Sequence, residues 1–388
     1  MLFSSSRIIP VMRLDENNKN EFKNLITKRK RPPSAFSMYN YQYKRIKDNE
    51  YIAKIGDMLT NMPPFMKSYI NAIEGSTAPY TRFIYLQRLN VFFSFLQENN
   101  SASKEITLSL LDHLTAEDIE EFTHWIRTGS AGSGHPDKES SVSNYLSALN
   151  SLWDYGVTHG KLAHNIISDI KRGKRVKHTV TRLDNVEQQE FFDTVNNGSG
   201  LSEHQKKFRT NATVARDKAI CLLLIRTGLR VSELVGIDLG DLDMERCCVN
   251  VMRKESKTDT VFFSDDAAQA LIDYLDVRED LAPAGMDIYS RDTPLFLSSI
   301  GSHKGERLTV RSVQRLVKKY AAPSVSGKTI TPHKLRATYA TDMIARTGDL
   351  SLVQNELNHE SPSTTALYID KRIHEMEAHR NDLNNSNA

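Results

Sequence analysis

The stretch Lys171–Arg182, KRGKRVKHTVTR, carries six basic residues (Lys171, Arg172, Lys174, Arg175, Lys177 and Arg182) and no acid. A run of like charge is ordinarily a solvated, flexible segment. This one has more weight because the apolar pattern changes across it. It reads as a linker, residues 171–184, between two folded units. A cationic strap in that place suits contact with a polyanion, where each neutralised phosphate releases counterions.

On the N-terminal side, residues 61–170, the spacing is helical throughout. PYTRFIYLQRLNVFFSFLQENN (79–100) sets Ile84, Leu86, Leu89, Phe92, Phe93 and Leu96 in one stripe, with Thr77 as its N-cap. TAEDIEEFTHWIRTG (115–129) has Thr115 as cap, Glu117 and Asp118 at the positive end, and Gly129 as stop. SVSNYLSALNSLWDYGVTHG (141–160) predicts a further helix ending at Gly156 or Gly160. About four helices are expected in the block. Residues 1–60 form a basic extension of open role. It holds an acid-free run, Phe22–Pro33, with five basic residues, and a candidate helix in YNYQYKRIKDNEYIAKIGDMLTNM (39–62).

On the C-terminal side, residues 185–375, helices mix with a little sheet, and 376–388 form a tail. RDKAICLLLIRTG (216–228) predicts a buried helix with Asp217 in its first turn and Gly228 just past its end. CCVNVMRK (247–254) and TDTVFFSDD (258–266) read as strands joined across KESK, and PLFLSS (294–299) as a short strand. Helices are expected in 184–195, 267–280 and 309–323, then from Pro332, Asp349 and Ser361. The fold class is mainly α with a small antiparallel β-sheet.

The totals narrow the function. The length of 388 residues suggests two domains, and 39% apolar with 26% charged residues is globular composition. No apolar run nears the roughly 18–20 residues of a membrane span. The start lacks an h-region and a small-residue cleavage site, so a cytoplasmic, nucleoid-associated location is expected. Three cysteines (Cys221, Cys247, Cys248) argue for a reducing compartment, and no Cys/His group has zinc spacing. With 51 Lys and Arg against 48 Asp and Glu, bulk charge decides nothing; its distribution does.

Four motifs carry candidate chemistry. In TGLRVSELVGI (227–237), Arg230 sits between a helix ending at Gly228 and another starting near Ser232, with Glu233 in reach to hold it. In HKLRATYATDM (333–343), Thr331 is a natural N-cap and Pro332 a natural first residue. His333 and Arg336 then share a face near first-turn N–H groups, an arrangement that attracts anions. At the turn RKESK (253–257), Lys254 and Lys257 compete as a proton donor. In LNHESPSTTALYID (357–370), Ser361 caps a helix that would carry Tyr368, with His359 in the turn before it. Each motif alone is more often a cap, a surface pair or a solvated hairpin.

Their order, Arg230, Lys254, His333-x-x-Arg336, His359, Tyr368, resembles the tyrosine recombinases, the phage integrase and Xer type. The resemblance covers about residues 60–375. It implies a helical core-binding (SAM-like) domain followed by a catalytic domain, together clamping duplex DNA at paired inverted core sites as a homotetramer. It implies attack by Tyr368 on a phosphodiester, giving a 3′-phosphotyrosyl ester and a free 5′-hydroxyl, for integration or excision of a mobile element or resolution of dimers. Arg230 and Arg336 would clamp the phosphate, Lys254 protonate the leaving oxygen, His333 serve acid–base work, and His359 donate to the phosphate, with Glu233 in support. No metal and no cofactor are implied, because the ester keeps the energy of the bond. DNA contacts are expected from Lys171, Arg172, Lys174, Arg175 and Lys177, and from Arg82 and Arg88. The family usually has Gly where this chain has Asn358, and KESK leaves Lys257 as an alternative acid. The tail, with Ile369, Ile373 and Met376 at helical spacing, is a candidate docking element. A type IB topoisomerase would share the clamp and the tyrosine, and a catalytically dead DNA-binding relative would be expected to have lost one of them.

Overall fold

The computed structural model describes residues 38–99, 105–128, 139–171, 181–253 and 258–357. The chain divides into two compact units, Lys44–Lys177 and the remainder. Among the described residues no helix is long and apolar enough to cross a membrane.

The first unit is all-helical. It consists of α1 (Met38–Leu59), α2 (Phe65–Ala72), α3 (Pro79–Asn99), α4 (Leu108–His113), α5 (Ala116–Arg127) and α6 (Glu139–Thr158), followed by a 3₁₀ turn at Ile166–Asp169. Its core is aromatic. Phe92 of α3 meets Phe122 of α5 edge-on at 4.9 Å and Trp153 of α6 at 6.1 Å, so one ring joins three helices. Such edge-to-face pairs add about 0.5–1.5 kcal/mol beyond burial. Thr115 caps α5 in a reciprocal box with Asp118. Helix α3 starts at Pro79, two residues after Thr77, and its first amide bond runs from Arg82 N–H to the Ala78 carbonyl. Helix α1 buries Ile55 in the same core, so the unit begins earlier than the boundary at 61 suggested by composition.

Two arginines expected on DNA have other work here. Arg82 is turned inward, 5% exposed, and pairs with Glu74 at 2.9 Å. Arg88 lies over the Tyr145 ring at 4.4 Å, half-buried. Lys171 is exposed, while Arg172, Lys174, Arg175 and Lys177 lie outside the described residues.

The second unit is built round α9 (Asn211–Thr227), which is buried on almost every side. Around it stand α7 (Asn185–Asn197), the short α8 (Glu203–Lys206), α10 (Val231–Gly236), α11 (Asp265–Val277), α12 (Val310–Ser324), α13 (Pro332–Thr347) and α14 (Leu350–Glu356). Helix α9 begins at a Thr210–Thr213 capping box, so Asp217 falls mid-helix, not in the first turn. There it is 1% exposed, and Arg216, Lys319 and the Tyr320 hydroxyl surround it. These partners outweigh burial and hold its carboxyl below the usual range.

The sheet has three antiparallel strands, β1 (Leu242–Asp243), β2 (Cys248–Met252) and β3 (Thr258–Phe262), in sequence order. Cys248 pairs with Phe262 and Met252 with Thr258, so the hairpin closes on the segment RKESK. PLFLSS does not become a strand. It makes isolated bridges, Asp238 with Pro294 and Leu297 with Arg307, single pairings and not a continuous edge.

Candidate active site

Gly228 ends α9 in the left-handed region, φ 62°, and the chain then turns sharply into α10. A side chain there would have its Cβ 2.5 Å from Cδ1 of Tyr339 and 2.8 Å from Cδ2 of Leu357. Glycine is required twice, for backbone conformation and for close approach. Gly228→Ala is therefore expected to lower unfolding free energy by about 2–4 kcal/mol, strain and overpacking combined. A thermal or urea melt reads this, and an unchanged midpoint would refute the packing at this junction.

The turn places Arg230 at the N-cap of α10, with Glu233 at the third helical position. Glu233 accepts the Arg230 backbone N–H at 2.8 Å on one oxygen and its Nη1 at 2.9 Å on the other. Glu233 is buried, whereas the Arg230 side chain is 31% exposed. The guanidinium is held by Glu233 and stays partly exposed. That is how a fixed cation is presented to an anion.

Arg336 reaches the same junction from α13. Thr331 holds the N-cap position of that helix and Pro332 its first turn, though the cap is made by the Thr331 carbonyl and not by its hydroxyl. Arg336 is 2% exposed and donates to two carbonyls, those of Gly228 and Leu357. It thus bolts the turn before Arg230 to the residue two places before His359. His333, one turn earlier, keeps an exposed edge. Loss of solvation on its other side, then the charges of Arg336, Lys334 and Arg230, push its imidazole below the usual value. That shift favours the neutral imidazole, which can accept a proton or a hydrogen bond.

Arg230, Glu233, His333 and Arg336 are therefore brought together, as the resemblance implied. Lys254, Lys257, Asn358, His359 and Tyr368 lie outside the described residues, as does the expected helix from Ser361. Sequence reasoning missed Arg253, whose buried guanidinium binds Asp259 at 3.1 Å, the Glu356 carbonyl at 3.1 Å and, at 3.6 Å, Glu233. The available signal was its position, directly before Lys254. Among the described residues there is no group of three or more His, Cys, Asp or Glu side chains that would hold a metal ion, and Cys221, Cys247 and Cys248 form no disulfide.

Comparison with known proteins now bears on this geometry. The phage integrase family model matches residues 187–375, the stretch that holds all of these side chains. The chain is 29% identical over 355 residues to tyrosine recombinase XerS of Lactococcus lactis subsp. cremoris, covering 83% of this chain and 96% of that protein. It is likewise 29% identical over 346 residues to XerS of Streptococcus agalactiae serotype III, covering 82% and 94%. In fold it is similar to XerH recombinase bound to a palindromic difH substrate, with TM-score 0.58 at 20% identity, over 91% of this chain and 98% of that one. It is similar also to a lambda integrase dimer bound to a COC′ core site, with TM-score 0.56 at 14% identity, over 79% and 94%. The chain carries a phage integrase family domain over residues 187–375 and is a tyrosine-type site-specific recombinase.

Proposed function

We propose that the chain cuts and rejoins duplex DNA at paired core sites, with Tyr368 as nucleophile. The phenol oxygen attacks phosphorus, the bond to the 5′-oxygen breaks, and a 3′-phosphotyrosyl ester and a 5′-hydroxyl result. Attack by a second 5′-hydroxyl reverses the step on another strand. The observation that carries this reading is the junction at Gly228, where Arg230, His333 and Arg336 meet on one turn of backbone. Two guanidinium groups there stabilise charge growing on the non-bridging oxygens. His333, its neutral form favoured, takes or returns the phenol proton, and His359 donates to the phosphate.

DNA is the partner that the chemistry requires; of the solved structures that share the fold, XerH is bound to a palindromic difH substrate and lambda integrase to a COC′ core site. Exchange of strands needs two sites and four active chains, so the assembly is a homotetramer on DNA. The tail after Tyr368, with Ile369, Ile373 and Met376 at helical spacing in the sequence, docks on a neighbouring copy. The linker cations Arg172, Lys174, Arg175 and Lys177, with Lys171, neutralise backbone phosphates.

The leaving 5′-oxygen needs a proton, and Lys254 is the assigned donor. A substrate with sulfur at the 5′-bridging position needs little protonation of its leaving group. With that substrate Lys254→Ala is expected to regain cleavage lost on ordinary DNA, by on the order of 10²-fold or more, whereas Lys257→Ala loses little on either. Rescue of Lys257→Ala in its place moves the role to Lys257; rescue of neither removes the lysine acid. The reading as a whole is tested by two assays together, a two-site recombination assay and relaxation of supercoiled plasmid. Relaxation with no exchange between sites would make the chain a topoisomerase.

A further inference from the structure

Arg253 follows the last residue of β2, and its side chain is 4% exposed. Its three nitrogens face three different parts of the unit. Nε donates to Asp259 on β3, Nη2 to the carbonyl of Glu356 at the end of α14, and Nη1 lies beside Glu233. Glu233 is the carboxylate that holds both the backbone and the guanidinium of Arg230. Chain order gives the arrangement its meaning. The residue after Arg253 is Lys254, and three residues beyond Glu356 is His359. A single buried cation is thus hydrogen-bonded to the strand opposite and to the backbone that leads into the His359–Tyr368 segment, and ion-paired at 3.6 Å with the partner of Arg230.

We propose that Arg253 is a positioning residue of the strand-transfer site, setting the Arg230–Glu233 pair, the root of the Lys254 turn and the root of the His359–Tyr368 segment in one register. The inference rests on the function proposed above. A planar fork with donors pointing three ways suits this place, and a lysine ammonium, a point charge on a flexible stem, does not reproduce it. Burying a charge is costly and gives stability no better than apolar packing of the same volume. Its geometric effect is different: it joins three backbone segments at fixed angles. Arg253 acts through Glu233 and the two chain segments, so its loss should slow chemistry on bound DNA and leave affinity alone.

The test uses the full chain. Sheared chromosomal DNA from the source organism is incubated with the wild type, covalently held fragments are recovered in SDS, and a nicked duplex of the recovered site becomes the probe. No wild-type adduct overturns the function proposed above, and this inference with it. Given an adduct, Arg253→Lys is expected to slow single-turnover cleavage at saturating probe by about 10²-fold, the size of a misplacement near 1 Å, with Kd for the probe within threefold. Cleavage at the wild-type rate, or a loss matched by loss of binding, overturns the inference alone. A double-mutant cycle adds a second reading. Glu233→Gln and Arg253→Lys together should be no slower than the slower single variant, because each acts through the other, and additive losses count against that. Should Arg253→Lys not fold, Asp259→Asn, which loosens the guanidinium from its exposed side, is read by the same two measurements. Cleavage slower by at least about threefold at unchanged Kd supports the inference, and an unchanged rate overturns it.

Discussion

Tyr368→Phe is expected to abolish the SDS-resistant protein–DNA adduct, with cleavage down on the order of 10⁴-fold or more, while DNA affinity stays near that of the wild type. Removal of one oxygen leaves the ring, and hence packing, unchanged. The sharper part of the expectation concerns the only other tyrosine after Tyr320, which is Tyr339. It stands at the junction itself, packed against Gly228. Burial, followed by the charge of Glu356, pushes its phenol above the ordinary value despite the arginines nearby. A phenol must lose its proton to attack, so Tyr339 is set against that role by its surroundings. Tyr339→Phe should therefore keep adduct formation. An adduct that survives Tyr368→Phe and disappears in Tyr339→Phe would exchange the two roles and undo the assignment.

How much of this was legible in the chain differs from residue to residue. The helices that the sequence marks with caps came through, such as α5 with Thr115 and Asp118, or α13 with Thr331 and Pro332. Cap chemistry is local, so it can be read from neighbours in sequence. Asp217 was misjudged: it looks like a first-turn acid, but the helix already starts at the Thr210–Thr213 box, and the carboxyl's partners Lys319 and Tyr320 lie about a hundred residues away in the chain. Arg82 and Arg88 look like surface cations on a helix, yet Glu74 and Tyr145 claim them. At the site, Arg230 and Glu233 are three residues apart and their pairing was foreseeable. The bonds of Arg336 to Gly228 and Leu357, and of Arg253 to Glu356, span 108, 21 and 103 residues. No periodicity encodes such pairs. They are products of packing between elements, and they decide how the catalytic groups are aimed.

Those long-range bonds separate the two arginines of the proposed clamp, and Lys substitutions should make the separation measurable. In Arg230→Lys the backbone N–H of residue 230 still reaches Glu233, and the side chain was partly in solvent to begin with. Stability should change by less than about 1 kcal/mol. Cleavage should fall by about 10²–10⁴-fold, because an ammonium cannot bind Glu233 and span two phosphate oxygens as a planar fork does. Arg336→Lys is a different lesion. Two buried carbonyls, of Gly228 and Leu357, lose charge-assisted donors that no ammonium in one position can supply together. Each orphaned buried acceptor costs about 1–3 kcal/mol, so unfolding free energy should drop by about 2–5 kcal/mol, and cleavage should be lost with it. Urea melts and single-turnover cleavage at saturating DNA, run on both variants, give four numbers. Equal destabilisation of the two would contradict the burial difference on which the clamp is built, and Arg230→Lys cutting within threefold of the wild type would remove Arg230 from the phosphate. If the numbers split as expected, the turn at Gly228 is held from the buried side by Arg336 so that Arg230 can face the DNA from the open one.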